Sequence, residues 1–146
     1  VPGCLDLITC GRYDEAQIEF PGHRLFRHSP ELTLVRMNAD QMEIMGRIYA
    51  RKINQTKGKA TVCIPTLGLS VPGAEGGPFW DPDADEVFCR TVEEELNDDV
   101  DLHIVAAHIN DPIFVEIVIE EFFRIVKNNS GNTVDISHRD LSEVSP

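Results

Sequence analysis

Apolar residues in this chain follow two rhythms, and the change between them marks out the elements. Short bursts come first: Leu5-Asp6-Leu7-Ile8-Thr9, then His23-Arg24-Leu25-Phe26-Arg27-His28, then Leu32-Thr33-Leu34-Val35-Arg36 after Pro30. Each is apolar or β-branched over a few residues and predicts an extended segment. Residues 11–22, between the first two, predict loop. From Asn38 the period lengthens: Met42, Met45, Ile48, Tyr49 and Ile53 recur at helical spacing. Asn38 with Gln41 three residues on is a capping-box pair, so a helix is expected from 39 to about 55, closed by Gly58.

The same alternation continues. Ala60-Thr61-Val62-Cys63-Ile64 is nearly all apolar, as in a strand covered on both faces. A long glycine-rich loop over 65–80 leads to Asp81-Pro82, an N-cap acid followed by proline at the first helical position. Ala84, Val87, Phe88, Val92 and Leu96 then form one apolar stripe, predicting a helix to about Leu96. Residues 101–107 form the next strand, and Asp111-Pro112 repeats the cap signature before a helix to about Lys127. In that helix ten of the fourteen residues over 113–126 are Ile, Val or Phe. Such a surface needs cover on most sides. Either the helix is central or it meets another domain or subunit; the second reading is preferred, because a chain this short has few layers to hide it. Glu120 and Arg124 are spaced for an i,i+4 pair on its wet strip. Residues 128–146 are polar and predict a mobile tail, so residues 1–127 form the folded unit.

Strands alternating with helices imply βαβ crossovers. The expected fold class is α/β, a Rossmann-like three-layer arrangement with a mostly parallel sheet. The length of 146 residues suits one domain. The formal net charge of -12 argues against nucleic-acid partners, which require a basic face. No apolar run reaches the length of roughly 18 residues that spans a bilayer, so no membrane segment is expected. The opening Val1-Pro2-Gly3-Cys4 lacks Met and any signal-peptide pattern, and reads as a piece of a longer protein. Cys4, Cys10, Cys63 and Cys89 are widely spaced, which fits reduced thiols in a cytoplasmic protein.

Ligands of α/β sheets sit beyond the carboxyl ends of the strands. Two segments occupy that place. In the loop after the 60–64 strand, Gly68, Ser70, Gly76 and Gly77 could bring backbone N–H groups to a ligand, although neither dinucleotide nor P-loop spacing is present. Alternatively the glycines serve turns, with Phe79 and Trp80 tucked onto the sheet. In His108-Ile109-Asn110-Asp111, His108 is the candidate acid or base and Asn110 a candidate for a substrate amide or hydroxyl, while Asp111 is explained as the N-cap. A hydrogen-bonded turn closing the strand–helix junction would use the same residues. No metal site is expected: His103 and His108 face opposite sides of a strand, and His108 with Asp111 is too few. His23, Arg24, His28 and Arg36 gather cations in an acidic chain, for an anionic ligand, an acidic neighbour or surface ion pairs.

Taken in order, Pro30–Arg36, Gly46 and Ala50 before Lys52-Ile53-Asn54, the loop from Pro65, Gly77-Pro78-Phe79-Trp80-Asp81-Pro82-Asp83-Ala84-Asp85 and His108-Ile109-Asn110-Asp111-Pro112 resemble the C-terminal half of the Tm-1-like ATP-binding domain family. This uncharacterised family includes a plant virus resistance protein. The resemblance spans roughly residues 1–126. It implies two Rossmann-like subdomains in tandem, self-association into a homo-oligomer, and ATP with Mg²⁺ bound mainly by an N-terminal subdomain that this chain lacks. The 68–77 loop and the 108–111 turn would then face a cleft shared with that subdomain. The same resemblance leaves open an enzyme part using His108, or an interaction domain built on the 113–126 helix.

Overall fold

The computed structural model describes residues 1–129, with side chains described through Lys127. Its elements run β1 (Leu7–Cys10), α1 (Tyr13–Glu19), β2 (Leu25–Ser29), β3 (Leu32–Arg36), α2 (Ala39–Asn54), β4 (Thr61–Pro65), a 3-10 turn (Val71–Gly73), α3 (Pro82–Glu95), β5 (Asp101–Val105) and α4 (Pro112–Asn129). The expected α/β class holds. The expectation of a mostly parallel sheet is not met among the described residues: β1, β3 and β2 form an antiparallel sheet in the order β1-β3-β2, and of the described strands only β4 and β5 pair in parallel. The reason is connection length. Pro30 and Glu31 alone separate β2 from β3, and so short a link can only return the chain antiparallel, whereas α3 supplies the crossover that a parallel pair needs.

The parallel pair carries helices on both faces. Val62 and Ile64 of β4, with Leu102 of β5, pack with Met42 of α2 and Ala84, Phe88, Cys89 and Val92 of α3. Cys63, one residue out of phase, turns to the other face and meets Phe114, Ile117 and Val118 of α4. Burying a side chain such as Phe88 or Ile64 completely contributes about 1.5–3 kcal/mol. Helices α2 and α3 lie close because Gly46 has no side chain; a Cβ there would stand 2.9 Å from Thr91 Cβ. The capping box read from the sequence is present, with Gln41 N–H donating to Asn38 Oδ1 and Asn38 N–H to Gln41 Oε1. Asp81 caps α3 by accepting from Ala84 N–H.

Helix α1 stands where loop was expected. It buries Ala16 alone and leaves Ile18 exposed, with no side-chain cap, so it has no apolar stripe or cap signal to recognise. The polar tail expected from Asn128 lies outside the described residues, except that α4 continues through Asn129. No described helix is long and apolar enough to cross a membrane.

Candidate functional site

The loop after β4 departs toward the α3 face of the parallel pair, and the turn after β5 departs toward the α4 face. Adjacent strands whose continuations leave toward opposite faces form the topological switch point where α/β sheets hold ligands. The candidate residues Gly68, Ser70, His108, Asn110 and Asp111 all belong to these two continuations. Here the two are fastened to each other: Thr66 N–H donates to Val105 O, Leu67 N–H to Ala107 O and Ile109 N–H to Gly68 O, at 2.9–3.1 Å.

His108 completes the fastening. Its Nε2–H donates to the Ser70 carbonyl at 3.0 Å, and its Nδ1 accepts from Asn110 N–H at 3.2 Å. Those partners, an acceptor on one side and a donor on the other, select the tautomer with its proton on Nε2. Gly68 makes room for the ring. Its φ is +128°, and a Cβ there would come within 2.7 Å of His108 Cδ2. With both ring nitrogens held by backbone, His108 is placed to position the junction. Asp111 stands at the expected N-cap position, its main-chain carbonyl accepting from Phe114 and Val115 N–H, and its carboxylate accepts from His108 N–H at 2.7 Å. Asn110 is exposed beside the turn.

Below the junction lies a buried polar cluster that sequence reading missed in part. Ser70 Oγ donates to Asp6 Oδ2 at 2.5 Å and accepts from Gly73 N–H. The Asp6 main-chain carbonyl accepts from Arg36 Nη1–H, and Arg36 Nη2–H reaches Asp85 Oδ1 at 2.6 Å and the Asp81 carbonyl at 3.2 Å. Arg36 and Asp85 are each 2% exposed. Burial pushes the Asp85 carboxyl up to about 6 from an ordinary 3.8, against the opposing pull of Arg36. One signal was available in the sequence. Asp85 sits three, four and seven residues before Phe88, Cys89 and Val92, an acid on the apolar stripe of α3.

Gly76 and Gly77 stand apart from this junction, at the far end of the loop. Gly76 takes φ +76°, and a Cβ on Gly77 would collide with Pro72 O at 2.5 Å. The loop's N–H groups at Gly73, Ala74, Gly77, Phe79 and Trp80 all donate to carbonyls within the loop, so these five are not free to cradle a phosphate. Phe79 is fully buried, edge-on to Phe26 of β2, as the turn-forming reading of the loop expected. Among the described residues no group of three or more His, Cys, Asp or Glu could hold a metal ion.

Two open features flank the junction. A cleft of about 510 Å³ between α3 and β5 is lined by residues including Thr66, Asp85, Cys89, Arg90 and the half-exposed Ile104. On the opposite side, α4 covers Cys63 with Phe114 yet leaves Ile113, Val115, Ile119, Phe122 and Phe123 substantially exposed, Phe122 at 61%. The wet strip of α4 is wired differently from the i,i+4 expectation. Arg124 pairs with Glu121 and, across to β5, with Asp101 at 2.5 Å, which holds the Asp101 carboxyl below its ordinary value; Glu120 takes no part in these pairs.

Comparison with known proteins matches this sequence to one family. The model of the uncharacterised protein family UPF0261 C-terminal domain matches residues 1–126. A UPF0261 protein of Rhizobium meliloti is 31% identical over 122 residues, covering 82% of this chain and 31% of that protein. A UPF0261 protein of Clostridium tetani is 27% identical over 127 residues, covering 86% and 31%. The ToMV resistance protein Tm-1 of Solanum lycopersicum is 26% identical over 125 residues, covering 84% of this chain and 17% of that protein. The chain thus spans about a third or less of the length of these relatives. With the family model covering all but its last twenty residues, the chain belongs to the UPF0261 family, as its C-terminal domain.

Proposed function

We propose that this domain is a binding and assembly module of a longer, Tm-1-like cytoplasmic protein, forming one wall of a nucleotide or small-ligand cleft and offering α4 for self-association. The observation that carries the reading is α4 itself. One side of the helix is used up on Cys63 and Ala107, and the other presents Ile119, Phe122 and Phe123 to solvent, more apolar side chain than one surface helix needs. The β4–β5 pair, helix-covered on both faces, is the seed of a Rossmann-like sheet whose further strands belong to the rest of the protein. ATP and Mg²⁺ are then held mainly by the N-terminal subdomain, because the 68–77 loop spends so many of its N–H groups on itself.

The test is calorimetric titration of ATP with Mg²⁺ into this chain alone and into a protein with its N-terminal portion restored. Binding to the restored protein only is the expected result. Binding to the chain alone would move the phosphate site into the 68–77 loop. No binding in either removes the cleft and leaves assembly. His108→Ala divides module from enzyme: weakened binding without any turnover in the natural protein fits a module, whereas loss of turnover with binding intact would establish His108 as acid or base.

A further inference from the structure

The 20–24 loop, the end of β3, the start of α2 and Asp81 at the head of α3 enclose a cleft of about 240 Å³. It gathers His23, Arg24 and Arg36 in a protein of net charge -12. Two of these groups are incompletely used. Arg36, 2% exposed, donates through Nη1 and Nη2, but its Nε–H is buried with no partner. His23 Nε2–H is spent on Gln41 Oε1 at 3.1 Å, and its Nδ1 is buried with no partner. Buried polar atoms left unpaired are costly, and these two, on residues that line one cleft, point to a guest that pairs with them. The cleft also lies at the N-terminus of the sixteen-residue α2, where Asn38 caps Gln41 N–H and the first-turn N–H groups of Ala39 and Asp40 have no intrahelical acceptor. The acids nearby are partly engaged. Asp81 takes Arg24 and Ala84 N–H, and Asp85 takes Arg36 through Oδ1. Asp85 Oδ2 and Asp6 Oδ1 are buried without partners, and Asp40 is exposed on the first turn of α2.

We propose that this cleft is an oxyanion site, receiving one carboxylate or phosphate-type group of a small ligand between Arg24, the Nε–H of Arg36 and the His23 ring. The volume sets the size of the guest. Pockets for drug-sized ligands begin near roughly 300 Å³, so this one takes an anionic head group and not a whole nucleotide. Arginine is the suited residue, because its planar fork matches both oxyanion geometries. The site uses none of the 68–77 or 108–111 residues proposed for the ATP cleft, and is joined to them through the buried Arg36–Asp6–Ser70 hydrogen bonds.

The test is NMR of the ¹⁵N-labelled protein titrated with sodium sulfate and, separately, sodium acetate, at constant ionic strength made up with chloride. The Nε–H resonance of Arg36 and the amides of Ala39 and Asp40 report directly. A saturable shift is expected, with a dissociation constant on the order of 1 mM. Sulfate saturating first assigns a phosphate-type guest, and acetate saturating first a carboxylate. Arg24→Gln and His23→Gln, both at partly exposed side chains, are expected to keep the remaining spectrum and to weaken binding about tenfold, whereas Arg27→Gln, whose guanidinium lies over the Tyr13 ring, leaves it unchanged. Equal shifts with chloride, or undiminished affinity in both cleft variants, would overturn the proposal.

Discussion

Asp85 is a charged residue on an apolar stripe, and its chemistry follows from that placement. A carboxyl pushed up to about 6 holds its proton more tightly in the folded chain than in the unfolded one, where it titrates near 3.8. The stability this group contributes is therefore full below that lower value and lost as pH climbs through it toward 6. Asp85→Asn, neutral throughout, is expected to gain stability relative to the natural protein across that interval, measured by denaturant unfolding at a series of pH values. A relative loss over the same interval would mean that Arg36 outweighs burial. Removing the other partner acts in the opposite sense: Arg36→Met strands the buried Asp85 carboxylate and is expected to cost about 3–5 kcal/mol at neutral pH, with relief as Asp85 is protonated. Gly68 offers a test of geometry without charge. Gly68→Ala combines a left-handed backbone with a Cβ against the His108 ring, so a loss of about 1–3 kcal/mol is expected, with amide shifts concentrated at Ser70, Asn110 and Asp111.

Helix α4 divides cleanly into two sides. Phe114 is buried against Cys63 and Ala107, so Phe114→Ala is expected to cost about 3–5 kcal/mol, read from the shift in the unfolding midpoint. Ile119→Lys, on the exposed side, is expected to leave stability within about 0.5 kcal/mol while lowering the sedimentation-average mass if α4 joins two copies. An unchanged mass would count against self-association through α4. Elements with a strong period and a cap were legible in the sequence. Residues 39–54 and 82–95 carry both, and their helices appear with the caps in place. The helix at Tyr13–Glu19 was not legible, because it buries a single alanine and its one large apolar residue, Ile18, points to solvent.

Strand direction was the larger omission. Alternation of strand and helix along the chain signals parallel pairing only where a helix really intervenes, and between β2 and β3 none does. The junction residues Gly68, Ser70, His108 and Asp111 were foreseen as neighbours because strand ends bring them together, yet their mutual hydrogen bonds depend on long-range placement that no local pattern encodes. Asp6 and Arg36, thirty residues apart and joined through a main-chain carbonyl, were hidden for the same reason. Each covered face of the parallel pair meets a buried thiol, Cys63 of β4 beneath α4 and Cys89 on the inward side of α3, and burial raises both, Cys89 to about 11. Cys4 is exposed and Cys10 partly so. A thiol-specific alkylating reagent is thus expected to modify Cys4 and Cys10 at once and the other two only as each helix lifts away, because the thiolate must form and be reached. Mass-resolved labelling rates at Cys63 and Cys89 then become two separate clocks, one for the detachment of α4 and one for that of α3. If α4 meets a second copy or the rest of the protein, as proposed, that contact slows the first clock and leaves the second running.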